Sequence, residues 1–396
     1  MSNWKQGAVT LACDELKDRI AGKKVALMMN TTALDNEGRL LIDVIVNEKW
    51  AEVPFFFGME HGVRGNFYGG DSKISDIDEK TGIKIVNLYE YEELRPPVEL
   101  IEKVDAVVFS AQDVGVRHWT FTPWLMVLIE SCAKAGKEVI VLDRPNPIRG
   151  DIVEGGLPDK KFTLRPQGLI SGVDYPLRHG MTIGELALMY NDMRNIGANL
   201  TVLKMRGWRR DMWYDETGLA WVPASPNMPD MDTPLFFAAT GLMQAANFSL
   251  GIGTTTPFEY VGNTDFDGDL LAKELNALNI PGIYFIQKYY MAMTFSLTPK
   301  EGAERKLVLC DGVFMVINDR NVWRPVETQL HIMDTLNRIF PDKVNFEHHA
   351  RGSRIRMCTD KICDALKEGK SLAPIIEEWK HGAEKFKIMR EKYLLY

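Results

Sequence analysis

Polar side chains follow several apolar segments of this sequence, at the point where each segment stops. They are Asn30, Glu60, His61, Gln112, Asp113, Asp143, Arg144 and Asn146. Carboxylates can give and take protons, while amides and arginines can hold the hydroxyl or acidic groups of a polar ligand. If the apolar segments are parallel strands of one sheet, these groups converge on one edge, where open α/β sheets bind their ligands. The pattern therefore predicts an acid–base site at a sheet edge.

The densest of these groups is the motif EHGVRG, which begins at Glu60. Its glycines allow tight backbone turns. Glu60 comes soon after an apolar run that ends at Phe57, so its carboxyl is expected to be poorly solvated, which suits a general acid. The alternative is a helix cap or a salt bridge to Arg64. The strand-end position favours a functional role for Glu60, with His61 and Arg64 as ligand-binding neighbours.

Two aspartates have arginines close to them in sequence. Asp113 stands near Arg117 and Asp143 stands beside Arg144, so each carboxylate has a possible ion-pair partner. Structural and functional roles are equally compatible with this pattern. Prolines on both sides of Asn146 fix the loop that follows Asp143, and the amide of Asn146 is a candidate for binding a sugar hydroxyl.

Further candidates lie in loops. Glu154 has glycines after it and is open to a catalytic role, whereas Glu185 is better explained as an acid at a helix start. His179 is in a polar loop, where hydrogen bonding is favoured over metal ligation. Ser225 and Asn227 belong to a loop held by prolines, close to several tryptophans that could stack on sugar rings or fill a core.

Cofactor signatures are missing from the sequence. The five cysteines are scattered and form no zinc-type spacing with histidine, so they are expected to be buried free thiols. The first apolar segment is not followed by the glycine fingerprint of dinucleotide sites, and the Gly251–Thr255 segment has no Walker lysine. We therefore predict no metal and no nucleotide cofactor.

The elements that must position these residues alternate between strand and helix in the first half of the chain. The sequence predicts strands at 24–32, 53–60, 83–89, 106–113, 138–145 and 200–205, and helices at 40–46, 123–135 and 182–194. Strands separated by helices imply parallel pairing. Residues 208–256 are expected to be long ordered loops. Later segments alternate differently, with helices at 269–279, 328–339, 362–366 and 374–393 and strands at 284–293 and 306–317.

The predicted fold is thus α/β: a Rossmann-like, doubly wound, mostly parallel sheet over residues 1–255, followed by an α+β auxiliary domain over residues 256–396. The chain has 396 residues and a net charge of −7, so it has no excess of positive charge with which to bind nucleic acid. It also contains no apolar stretch of the ~20 residues that a membrane helix needs. The first six residues show no export signal, which predicts a cytoplasmic location, with the periplasm or secretion as the alternative.

A series of motifs gives a resemblance to a known family. In order along the chain they are EHGVRG, QDVGVRHWTF, VLDRPNP, VEGG, RHGMTIGELA, WVPASPNMP, GTTTPFE and a terminal KYLLY. With them the chain resembles the NamZ-like exo-β-N-acetylmuramidases, a bacterial family once known only as a domain of unknown function. The resemblance extends from about residue 7 to residue 396.

This resemblance implies a glycoside hydrolase of peptidoglycan recycling that removes N-acetylmuramic acid (MurNAc) from the non-reducing ends of glycan chains. It also implies a Rossmann-like domain, an auxiliary domain and an active site in the cleft between them. The leading catalytic glutamate of the family falls on Glu60, in agreement with the strand-end argument. The expected partners are peptidoglycan fragments. Asp113 and Glu154 are the candidates for a second catalytic carboxylate.

One stretch departs from the family pattern E-G-T-N-x-S-E-G-R-G-T. In the matching residues 244–254, Gln244 and Leu250 replace two acids and Ile252 replaces an arginine. An arginine could pair the lactyl carboxylate of MurNAc, and isoleucine cannot. Two alternatives therefore stay open: a hydrolase of the same scaffold for another amino sugar, and a glycan-binding protein without catalysis.

Overall fold

The computed structural model describes residues 9–66, 76–91, 94–163, 174–293, 306–348 and 353–396. The first six residues, from which the absence of an export signal was predicted, lie outside the described residues. Among the residues that are described, no helix is both long and apolar enough to cross a lipid bilayer.

A six-stranded parallel sheet forms the centre of the first half of the chain. Its strands are β1 (Val25–Met29), β2 (Phe55–Gly58), β3 (Lys84–Asn87), β4 (Ala106–Ser110), β5 (Glu138–Leu142) and β6 (Leu200–Leu203). The strand order is β3-β2-β1-β4-β5-β6, and every neighbouring pair is parallel. This is the order of a doubly wound Rossmann-like sheet, so the predicted fold class is confirmed.

The strands read as continuous apolar runs because both faces of the sheet are covered. On β1, Ala26 and Met28 pack into one core and Leu27 into the core on the opposite face. The helices of this half of the chain are α1 (Cys13–Ile20), α2 (Leu41–Asn47), α3 (Val98–Ile101), α4 (Phe121–Ala135), α5 (Lys160–Thr163) and α6 (Ile183–Met193).

Local signals place the ends of two of these helices. Helix α4 ends at Gly136, whose φ of +65° is a left-handed conformation that suits glycine. Helix α6 begins with the predicted capping box, in which Thr182 and Glu185 bond each other's backbone N–H groups. Both ends were predicted from the sequence.

The C-terminal part contains a three-stranded antiparallel sheet of order β7-β9-β8, formed by β7 (Tyr260–Asn263), β8 (Ile283–Met293) and β9 (Leu307–Ile317). Its helices, with α7 preceding the sheet, are α7 (Thr233–Thr240), α8 (Gly268–Ala277), α9 (Pro325–Ile339), α10 (Ser353–Met357), α11 (Lys361–Lys367) and α12 (Ala373–Arg390). The mixed α+β character is as predicted. The domain boundary at residue 255 stays a prediction.

One prediction for the middle of the chain was wrong. Residues 208–256 were expected to be loops only, but they contain helix α7 and two short 3₁₀ turns. The sequence of α7 is TPLFFAAT, and each of its residues is buried. A helix that is apolar on all sides has no amphipathic period, so the pattern used to find helices does not show it.

Candidate active site

The carboxyl ends of the parallel strands meet at one edge of the sheet, and a chain of hydrogen bonds joins the loops there. Asn30 accepts a bond from the Thr32 hydroxyl at 2.6 Å, and that hydroxyl accepts the backbone N–H of Gln112 at 2.8 Å. The side-chain amide of Gln112 in turn donates to the carbonyl of Pro145 at 2.7 Å. Asn30 and Gln112 are therefore buried and fix the relative position of the loops after β1, β4 and β5.

Glu60 stands two residues beyond β2 on the same edge, and its side chain is half-buried. Its carboxylate accepts a hydrogen bond from the hydroxyl of Tyr89, which follows the adjacent strand β3. Burial, and then the charge of Glu60, raise the pKa of Tyr89, so the tyrosine keeps its proton and remains a donor. His61 has a φ of +67°, a strained conformation for a non-glycine residue that turns the chain sharply after Glu60.

Arg64 does not pair with Glu60, which was the alternative for this motif. Its guanidinium binds Asp78 at 2.7 Å and Asp43 at 2.9 Å. Hydrogen bonding to Arg64 lowers the pKa of Asp78 to about 2. Arg64 therefore fixes the EHGVRG segment to its surroundings through two carboxylates.

Asp113, after β4, accepts two hydrogen bonds and lies close to a histidine whose Nε2 is not in hydrogen-bond geometry toward it. Its carboxylate accepts the N–H of Gly115 at 2.7 Å and the Thr122 hydroxyl at 3.1 Å, and Nε2 of His179 lies 3.2 Å from it. Nδ1 of His179 accepts the N–H of Met181, so the ring proton belongs on Nε2, facing Asp113. Asp113 and His179 are thus brought together in a buried pair at the sheet edge.

The arginines near the two aspartates have other partners. Arg117 is fully buried and donates to the carbonyls of Gly156, Tyr175 and Met357 at 2.8–2.9 Å. The guanidinium of Arg144 donates to the Ser110 hydroxyl and the Leu34 carbonyl, each at 2.9 Å. Neither forms the ion pair with Asp113 or Asp143 that the sequence suggested.

Asp143 is completely buried and receives hydrogen bonds from Thr182, the N–H of Gly184 and the hydroxyl of Tyr396. Burial, followed by the nearby charge of Glu185, raises the pKa of Asp143 to about 6. These contacts attach helix α6 and the C-terminus of the chain to the end of β5.

Asn146, Ser225 and Asn227 organise loops. The Asn146 side chain bonds the Met181 carbonyl and the N–H of Ile148, at 3.0 and 3.1 Å. Ser225 Oγ accepts the N–H of Asn227 at 3.2 Å within the proline-rich turn. No described contact brings Ser225 or Asn227 to Glu60.

Glu154 lies in the segment between β5 and α5. One carboxylate oxygen binds Arg178 and the other accepts the N–H of Val326 at the start of α9. Glu154 also lines a cavity of about 770 Å³ together with residues of α9 and α12, including Trp379. Both oxygens of the Glu154 carboxylate are thus engaged, and one of them ties it to the C-terminal helix α9.

Two residues of interest were not singled out from the sequence. Tyr89 contacts Glu60, but only the fold brings these two strand ends together. Glu259 is 8% exposed, and within the described residues its carboxyl has neither an ion pair nor a hydrogen bond. Burial, with the charges of Asp230 and Asp232 adding to it and that of Lys288 opposing it, raises the pKa of Glu259 to about 7. The GTTTPFE motif, which ends at Glu259, was the only sequence signal.

Replacing Glu259 with glutamine is expected to raise the melting temperature at pH 8 by about 1–3 °C. An unfolded glutamate releases its proton near pH 4.5, whereas folded Glu259 holds it to about pH 7. The folded state therefore binds more protons between these values, and the contribution of Glu259 to stability falls as the pH rises through that window. Melting curves of wild type and E259Q from pH 4.5 to 8 measure this, with exposed Asp211→Asn as the control. Parallel pH profiles for wild type and E259Q would contradict the assignment.

Metal-ligating side chains do not gather in the described ranges. No group of three or more histidine, cysteine, aspartate or glutamate residues there is arranged to hold a metal ion. All five cysteines are described, buried and unpaired, as predicted.

Comparisons with known proteins cover almost the whole chain. Residues 25–232 match the N-terminal and residues 235–396 the C-terminal sequence model of "Exo-beta-N-acetylmuramidase NamZ". The peptidoglycan β-N-acetylmuramidase NamZ of Bacillus subtilis is 33% identical over 392 residues, which are 99% of this chain and 91% of that protein.

Two crystal structures of DUF1343 family proteins from Bacteroides fragilis have the same fold. One is 29% identical with a TM-score of 0.87, and the other is 26% identical with a TM-score of 0.76. Each match covers 98% of this chain and 99% of the other. From the two sequence models and the B. subtilis relative it follows that the chain belongs to the NamZ family of exo-β-N-acetylmuramidases, which are glycosidases.

Proposed function

We propose that this protein is a glycosidase that releases MurNAc from the non-reducing ends of peptidoglycan fragments. The observation that carries this proposal is the position of Glu60. It is a half-buried carboxyl at the ligand-binding edge of the parallel sheet, bonded to Tyr89, in a chain that belongs to the NamZ family. A polar, partly enclosed carboxyl at such an edge can protonate a leaving oxygen.

In this mechanism Glu60 donates its proton to the glycosidic oxygen as the bond to the anomeric carbon breaks. The Tyr89 hydroxyl fixes the orientation of the carboxyl through its hydrogen bond. After proton transfer the carboxylate of Glu60 becomes the stronger acceptor, so the bond from Tyr89 strengthens as charge develops. The His61 turn and the Arg64 contacts hold the loop that carries Glu60.

A second carboxylate is needed to activate water or to stabilise the sugar cation. Asp113 is the better of the two sequence candidates, since it follows β4 at the same sheet edge as Glu60. Hydrogen bonds from the N–H of Gly115 and the hydroxyl of Thr122 hold its carboxylate in one orientation. Glu154 has both oxygens engaged by Arg178 and Val326 beside a different cavity, which favours a structural role.

Hydrolysis of a chromogenic MurNAc glycoside, followed by identification of the released sugar, tests the proposed function. We expect turnover of the β-MurNAc glycoside and release of free MurNAc from MurNAc-GlcNAc. Binding of the disaccharide with no release of sugar would instead identify a glycan-binding protein and contradict the proposal.

A hydrolase for another amino sugar is the second candidate, and the environment of residue 252 favours it. Ile252 is buried in the apolar core, and its carbonyl accepts the N–H of Met293. The arginine of the family pattern is therefore replaced by a side chain that has neither a positive charge nor a hydrogen-bond donor for a carboxylate. A panel of MurNAc, GlcNAc and other amino-sugar glycosides separates the candidates by relative kcat/KM.

A further inference from the structure

Within the described part of the chain, Arg356 of helix α10 has no carboxylate as a counter-ion. Its Nη1 donates one long hydrogen bond, 3.3 Å, to the neutral side-chain amide of Gln244. Its Nε is buried and has no hydrogen-bond partner, and no carboxylate of the described residues forms an ion pair with it. By contrast, the buried guanidinium of Arg117 makes three hydrogen bonds to carbonyls.

His118, whose ring feels the charge of Arg356, adds no negative charge. His118 is 4% exposed, its ring packs against Phe237 at 4.4 Å, and neither ring nitrogen has a hydrogen-bond partner of good geometry. Burial, with the positive charges of Arg356 and Arg117, lowers the pKa of His118 to about 3. The imidazole is therefore neutral, and its N–H has only a poorly aligned contact with the backbone of Phe237.

Contacts across the fold bring Arg356 to the loop after β4. Met357, the next residue, accepts a hydrogen bond from Arg117 at 2.9 Å, and Arg117 and His118 belong to the loop that begins with Gln112 and Asp113. Helix α10 is thus fastened to one of the strand-end loops. Arg356 therefore belongs to a C-terminal helix whose last residue is hydrogen-bonded to a strand-end loop of the parallel sheet.

A half-buried charge without a counter-ion and a buried imidazole without a well-aligned hydrogen bond are unfavourable, and such groups are usually paired with a ligand or with other protein groups. A carboxylate fits both needs. Its two oxygens match the fork of a guanidinium, and either can also accept the N–H of a neutral histidine. A carboxylate at position 244 would neutralise the charge of Arg356. The amide of Gln244, which stands there instead, leaves that charge uncompensated.

We propose that Arg356, assisted by His118, binds the carboxylate of the substrate. The identity of this carboxylate rests on the proposed function: it is the carboxylate of the lactyl ether on a terminal MurNAc. GlcNAc is the same sugar without that ether, so Arg356 is the residue that distinguishes a MurNAc end from a GlcNAc end. Arg356 on helix α10 thus takes the place of the positive charge that is lost where Ile252 replaces an arginine of the family pattern.

The test compares wild type, R356Q and R356K on nitrophenyl β-MurNAc and nitrophenyl β-GlcNAc. We expect R356Q to lose about 10- to 100-fold in kcat/KM on the MurNAc glycoside, mostly through KM, with the GlcNAc glycoside changed less than about 3-fold. R356K keeps the positive charge but not the two parallel N–H donors of a guanidinium, so its kcat/KM on the MurNAc glycoside should fall between those of wild type and R356Q. Exposed Arg209→Gln is the matched control and should equal wild type. An unchanged preference for MurNAc in R356Q would overturn the proposal.

A binding measurement separates this inference from the proposed function. Calorimetry with free MurNAc, free GlcNAc and D-lactate should show MurNAc binding that is weakened in R356Q and R356K. If wild type hydrolyses neither glycoside but binds MurNAc through Arg356, the proposed function fails and the carboxylate site stands. If wild type hydrolyses the MurNAc glycoside and R356K, which keeps the fold and the charge, binds MurNAc as tightly as wild type, the carboxylate site fails alone.

Discussion

Substituting Glu60 with glutamine is expected to reduce kcat on MurNAc-GlcNAc by about 10²- to 10⁴-fold, the range that a positioned general acid contributes. Glutamine has nearly the same shape and still accepts the hydrogen bond from Tyr89, but it has no acidic proton to give to the leaving oxygen. The loss should therefore fall on kcat, while KM for the disaccharide stays close to that of wild type.

Tyr89→Phe is the matched control for this variant. It removes the hydroxyl that orients the Glu60 carboxyl but leaves the acid in place, so we expect a smaller loss of about 3- to 30-fold in kcat. Melting curves check that both proteins are folded. E60Q that cleaves the disaccharide at the wild-type rate would show that the proton comes from another residue.

The largest expected effect on stability comes from Arg178→Ala. Arg178 is fully buried, binds the carboxylate of Glu154 and donates to the carbonyl of Ile148. Its removal leaves the buried Glu154 carboxylate without its cation, so the free energy of unfolding should fall by about 3–5 kcal/mol.

Denaturant titration of R178A against wild type measures this loss. The double variant R178A/E154Q is the informative control, since it removes the uncompensated charge and should recover part of the stability. Arg209→Ala, at an exposed arginine, should change stability by less than about 0.5 kcal/mol. A single variant R178A as stable as wild type would show that the pair does not hold the loop at Glu154 to helix α9.

The sequence was sufficient to predict the sheet and its edge, because these depend on local patterns. Buried parallel strands have apolar runs that stop at polar residues, and the capping box of α6 lies within four consecutive residues. The positions of Asn30, Gln112 and Asp113 at the strand ends follow from that pattern alone. Their convergence needed only the assumption of parallel pairing, which the strand order confirms.

Partnerships between distant residues could not be predicted in the same way. Closeness in sequence predicts Arg117 as a partner for Asp113, yet its guanidinium donates to the carbonyl of Met357, 240 positions away. Glu154 likewise meets Val326 only because helix α9 starts beside it. Such contacts depend on how the two halves of the chain pack, and no local period or motif carries that information.

The proposed mechanism depends on a proton that Glu60 gives to the leaving group, and the dependence of the rate on the leaving group tests this most directly. A good leaving group needs no protonation, so E60Q should hydrolyse a dinitrophenyl MurNAc glycoside within about 10-fold of the wild-type rate while losing about 10²- to 10⁴-fold on MurNAc-GlcNAc. If E60Q lost equally in rate on the activated glycoside and on the disaccharide, the role of Glu60 as the acid would be contradicted, because Glu60 would then act on something other than the departing oxygen.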